Sequence, residues 1–212
     1  MARSTTYVSP STVRGIGQLL GLAGIVAAVA GPVHAVNGAT HAGAAVEVPV
    51  ELDGGVGPLA GAPVALPDGA RLLPLPEGAR AALSAGDSTV AEQLLARGDV
   101  AVLGLAVGLG AWLLRPVLAS IAAGRPFGVG SSRRLAWLAV VVAVAGSLGP
   151  LLPQVGALAV LDRLDLVGPG SPFVMGVTFS FLPVLVGGGL LLVLAEAFRQ
   201  GERIDSDVQG LV

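Results

Sequence analysis

The side chains able to do chemistry are few in this chain, and most of them are arginines. All twelve basic residues are arginine, and three of them, Arg125, Arg133 and Arg134, share one short stretch, "GRPFGVGSSRR". Guanidinium groups stay charged at any working pH, so such a cluster pairs with phosphates or carboxylates and supplies no base or nucleophile. Arg115 is the one charge well inside an apolar run, "GLGAWLLRPVLASIAAG". A charge at the bilayer centre costs ~3 kcal/mol or more, so Arg115 is expected to snorkel or to find a partner. Glu196 is its candidate partner, giving a candidate intramembrane ion pair.

Other chemistry is thin. His34 and His41 are the only imidazoles. With Glu47 or Asp53 they have no spacing that matches an established metal site. Cysteine is absent, which excludes disulfides, thiolate metal sites and cysteine nucleophiles. No nucleophile stands beside a base, no glycine loop follows a strand, and no intramembrane acid pair suggests a proton relay. The reading is a noncatalytic protein with no metal and no cofactor.

The elements that position these residues are apolar. Hydrophobic residues make up 53% of the chain and charged residues 12%, against roughly 25% charged in soluble domains. Four runs, 15–36, 99–124, 133–154 and 172–198, each exceed the ~20 residues a helix needs to cross a ~30 Å hydrocarbon core. They are continuous rather than alternating, which predicts helices and not a barrel. Residues 1–35 also have the layout of a signal peptide, with Arg3, Arg14 and a small-residue site at "GPVHA". The apolar run outlasts a typical signal core, so the expectation is a retained first span.

Four spans place the N-terminus (1–14), the 125–132 loop and the 199–212 tail on one side. That side, with Arg115, holds eight arginines against four acids, a balance of +4; the other has four arginines against ten acids, or −6. Basic loops stay in the cytoplasm, so both termini are expected there, in the cell membrane. The basic cluster faces anionic lipid and is too small for direct nucleic-acid binding.

Residues 37–98 are too long for a turn. "VEVPVEL" (46–52) alternates like a strand that Pro49 confines to an edge or bulge. "VALPDGARLLPL" reads as a hairpin around Pro67-Asp68-Gly69. Thr89 and Glu92 have capping-box spacing at a helix start, and Gly98 ends that helix before the second span. Residues 155–171 read as a shorter outer loop. The predicted fold is an all-α membrane protein, a four-transmembrane-helix bundle with a small α+β extracytoplasmic insertion between helices 1 and 2. Gly17 and Gly21, and Gly104 and Gly108, have the spacing that lets helices approach in lipid, within a bundle or a homo-oligomer. Pro183 and Gly187–Gly189 predict a kink in the fourth span.

Two stretches, "LLRPVLASIAAGRPFGVGSSRRLAWLA" and the C-terminal "LAEAFRQGERIDSDVQGLV", resemble the DUF2975 family of bacterial four-span membrane proteins. The resemblance covers roughly 99–212. It implies no enzymatic activity, and a small helix-turn-helix regulator as a cytoplasmic partner. Candidate partner contacts are then Arg125, Phe127, Arg133 and Arg134 in the loop, with Phe198, Arg199 and Arg203 in the tail. Phe127 and Phe198 also have a structural reading, as interfacial anchors. The expected function is a sensor or scaffold for that regulator; the alternative is a small oligomeric transporter or channel subunit for an apolar or weakly polar solute.

Overall fold

The structure, a computed structural model, describes residues 9–40, 43–52, 66–74, 80–168, 171–174 and 176–209. His41, Asp53, Arg3 and the first arm of the expected hairpin up to residue 65 lie outside them. In chain order the elements are α1 (Pro10–Ala39), β1 (Val46–Glu51), β2 (Ala70–Pro74), β3 (Arg80–Ala85), α2 (Val90–Ala96), α3 (Gly98–Ala122), α4 (Ser131–Arg163) and α5 (Phe181–Gln209). Four of the helices, α1, α3, α4 and α5, are long and apolar enough to cross a membrane, and the small sheet lies between the first and second of these in the chain.

The chain divides into two compact units. The first takes Met1–Ala30, Leu103–Gly146 and Ser180–Val212 and is built of helices. Small residues set its packing. A Cβ added to Gly108 would lie 2.5 Å from Ala28 Cβ and 3.0 Å from Gly24 O, and one on Gly21 would meet Arg115 Cδ at 3.8 Å. Helices α1 and α3 are therefore antiparallel and nearly in backbone contact, as small residues allow in lipid. Gly187 and Gly188 lie against Val142 and Ala139 of α4, so the glycine run is a packing surface. Pro183 falls in the first turn of α5, where no helical hydrogen bond is lost, and the kink expected from it has no cause. Apolar side chains cover the outside: Leu19, Trp112 and Leu185 are 69%, 71% and 71% exposed. Surfaces of that kind are at home in lipid.

The second unit takes Gly31–Val102 and Ser147–Phe179. Its three strands form an antiparallel sheet in the order β1-β3-β2. β1 is an edge strand, as Pro49 requires, and pairs Pro49 with Ala82. Strand β2 leaves the turn at Pro67–Gly69 and pairs with β3. Val46, Val48 and Val50 point to one face and are buried while Glu47 and Pro49 point out. That face packs with Leu83, Ala85, and with Ala157, Val160 and Leu161 of α4 and Phe173. Each large side chain so buried stabilises by ~1.5–3 kcal/mol, which is how so short an insertion holds a fold.

Helix α4 continues past 154 to Arg163, so half of the expected outer loop is helical. Gly156 is a contact: a Cβ there would meet Leu95 Cβ at 3.1 Å and Ala96 N at 3.2 Å. The helix ends where Leu166 N bonds Leu161 O and Asp165 N bonds Asp162 O, with Asp165 left-handed at φ 54°. Helix α5 starts at Phe181 rather than 172 and runs on to Gln209, so most of the expected tail is helix. The preceding stretch is held to α4 by Gln154, whose Nε2 donates to Thr178 O at 2.9 Å and whose Oε1 accepts from Thr178 N at 2.6 Å.

Candidate functional site

The basic loop is shaped by its two ends. At the first, Arg125 N donates to Ser120 O and Gly124 N to Ile121 O, both at 3.0 Å, with Gly124 at φ +75°. This pair of bonds closes a helix only where the residue after the cap is left-handed, which favours glycine. Pro126 then prevents the helix from resuming. At the second end Gly130, at φ +83°, accepts the first helical bond of α4 from Arg134 N. Glycine in that place has no side chain to satisfy the free N–H groups of the first turn.

Glu202 of α5 does so instead. Its Oε1 accepts from Ser132 N at 2.8 Å and its Oε2 from Ser132 Oγ at 3.0 Å. A carboxylate at a helix amino end is favoured by the helix dipole as well as by the bonds. One turn back on the same face of α5, Phe198 meets Phe127 of the loop edge to face, with ring centroids 5.5 Å apart. Gly201 makes room: a Cβ there would lie 2.6 Å from Phe127 Cε1. The loop and the tail, far apart in sequence, form one joint.

The structure thus brings together the residues that the sequence singled out, and sorts them. Phe127 and Phe198 meet edge to face at the joint. Arg125, Arg133, Arg134 and Arg203 stay exposed and enter no ion pair among the described residues. Arg199 is engaged along its own helix, with Nε and Nη2 each 2.8 Å from the two oxygens of Glu196. Gln200 Nε2 adds a third bond to Glu196 at 3.1 Å. The pairing expected between Arg115 and Glu196 is therefore not among the ion pairs of the described residues; local spacing on α5 satisfies Glu196 first. Arg115 is exposed beside Gly21. Ser132, Gly201 and Glu202 escape a sequence reading, because nothing local marks Glu202 as the cap of a helix seventy residues earlier.

A second polar cluster lies in the sheet-bearing unit. Thr89 and Glu92 form the expected capping box, Glu92 N donating to Thr89 Oγ1 at 3.2 Å and Thr89 N to Glu92 Oε2 at 2.9 Å. The other oxygen of Glu92, a residue only 3% exposed, accepts from Arg163 Nε at 2.8 Å, and Arg163 Nη2 donates to Gly86 O. Beside it His34 lines a small cavity with Gln93 and Arg97. No group of three metal-ligating side chains occurs among the described residues.

No family model matches the chain, and no curated protein or solved structure matches it.

Proposed function

We propose that this chain is a noncatalytic multi-pass membrane protein of the DUF2975 type that acts as a sensor or scaffold for a cytoplasmic regulator. Its four apolar helices cross the cell membrane with both termini inside, following the charge asymmetry of the loops. The joined loop and tail are the docking surface, and a small helix-turn-helix protein is the partner that the resemblance implies. The observation that carries this reading is the Ser132–Glu202 and Phe127–Phe198 joint. It rigidifies two basic segments into one surface and leaves Arg125, Arg133, Arg134 and Arg203 outward, available to an acidic partner face.

Affinity purification from native membranes through an N-terminal tag tests it. The expected result is a stoichiometric small DNA-binding protein, lost on deleting residues 199–212 and weakened when the four outward arginines become glutamine. A homo-oligomer with no partner would overturn the docking role and favour transport. Orientation is tested separately: a reporter active only outside the cell, fused near residue 75, is expected to be active, and fused near 128 or after 212 to be silent. Activity at 128 would reverse the topology.

A further inference from the structure

The cavity of the sheet-bearing unit has about 250 Å³ and is lined by His34, Asn37 and Gly38 at the end of α1, Ala44 and Ala45 before β1, and Gln93 and Arg97 of α2 and its cap. We propose that it binds a phosphate group, with Arg97 as the cation that holds it.

The wall behind Arg97 is built. Gln93 is fully buried, yet it is an amide. Its Nε2 donates to Ser88 Oγ at 2.7 Å and to Ala45 O at 3.4 Å, and Ser88 Oγ in turn donates to Ala44 O at 2.7 Å. With its nitrogen so engaged, Gln93 turns Oε1 to Arg97 and accepts from Nη1. The stem of Arg97 lies across Gly38, where a Cβ would come within 2.7 Å of Cδ. One donor of the guanidinium is used by Gln93, and its other donors make no hydrogen bond among the described residues.

The charge of this site is incomplete. Arg97 is half-buried and has no ion pair among the described residues, and none of the residues lining the cavity is acidic. A partly desolvated cation in that situation favours an anion. At the end of α1 the Asn37 carbonyl is already bonded, Thr40 Oγ1 and N both donating to it at 2.7 and 3.2 Å. His34 and Asn37 of α1 line the same cavity as Arg97. A guanidinium fork pairs with phosphate oxygens, and a cavity of this volume accepts a phosphate with a small substituent.

The source of that phosphate rests on the membrane-spanning reading. Helix α1 has 30 residues, so it is ~45 Å long and outreaches a ~30 Å hydrocarbon core. Its last turns then emerge among lipid headgroups, where phosphate is abundant.

The test uses the full chain in phosphate-free maltoside detergent and phosphorus NMR. The two ligands are inorganic phosphate and dihexanoyl phosphatidylglycerol, a short-chain lipid. Saturable broadening and shift of the phosphorus resonance are expected. In Arg97→Gln the dissociation constant is expected to rise about tenfold or more, while Arg71→Gln, on the exposed edge of the sheet, leaves it unchanged. Asn37→Leu narrows the cavity with an apolar side chain and keeps the guanidinium, so it decides the matter if Arg97→Gln does not fold. Binding of both ligands, lost in these variants, establishes a phosphate site; binding of the lipid alone makes it a headgroup site, and of inorganic phosphate alone a site for a free phosphate. Binding of neither, or binding unchanged by both variants, overturns the proposal. The reporter fusions are read independently, so a failed topology and a failed cavity are distinguishable.

Discussion

Ser132 and Glu202 hold the amino end of α4 to α5: both carboxylate oxygens accept from one serine, at 2.8 and 3.0 Å. The bond replaces the local cap that Gly130 lacks. It makes the start of one apolar helix depend on the end of another. Glu202→Ala is expected to destabilise the protein by about 1–2 kcal/mol, the range for loss of a helix cap. Thermal unfolding in detergent reads the loss, and limited proteolysis after residue 199 should become faster. Unchanged melting and an unchanged cleavage rate would show that the cap is dispensable.

Gly201 is where the Phe127 ring lies against the α5 backbone. Gly201→Ala is expected to displace that ring and break the contact with Phe198, while also improving the helix propensity of α5. In combination with Phe127→Ala the clash disappears, so the two changes should be non-additive by about 0.5–3 kcal/mol. A double-mutant cycle on thermal stability measures this, and strict additivity would refute the contact.

Glu92 is buried and ties three elements together: it caps α2 at Thr89, receives Arg163 from the end of α4, and sits beside the loop carbonyl of Gly86 that Arg163 also binds. Arg163→Met leaves a buried carboxylate without its cation and is expected to cost about 3–5 kcal/mol. Adding Glu92→Gln to Arg163→Met should restore part of that loss, because the buried charge is gone. Chemical denaturation of the three variants gives the comparison; a double variant no more stable than Arg163→Met would exclude the charge explanation.

Gln154 anchors the stretch before α5 through reciprocal bonds with the backbone of Thr178. Gln154→Leu keeps the volume and removes the bonds, and a loss of about 0.5–1.5 kcal/mol is expected for these exposed hydrogen bonds. Hydrogen exchange at residues 176–180 should rise while exchange in the sheet stays as it was. Equal exchange in both proteins would show that packing alone holds the segment.

Much of the architecture was legible in residue order alone. Four apolar runs, the alternation of Val46, Val48 and Val50, the edge position of Pro49 and the capping box of Thr89 with Glu92 all follow from local rules, since hydrophobic period and cap spacing act within a few residues. Tertiary structure decided the rest. Where α4 ends depends on Gly156 packing against Leu95 and on Asp165 accepting a left-handed turn, and neither is visible in a periodicity. That β2 pairs with β3, with Leu72 opposite the buried Leu83, is not given by the turn signal at Pro67–Gly69. The arginines of the loop and tail were identifiable by type. That Phe127 closes on Phe198 and that Glu202 caps α4 are outcomes of distance in space, whereas Glu196 and Arg199 lie three residues apart on one helix. A side chain satisfies whichever charge or N–H the fold brings nearest, and sequence order records that proximity only along a single helix.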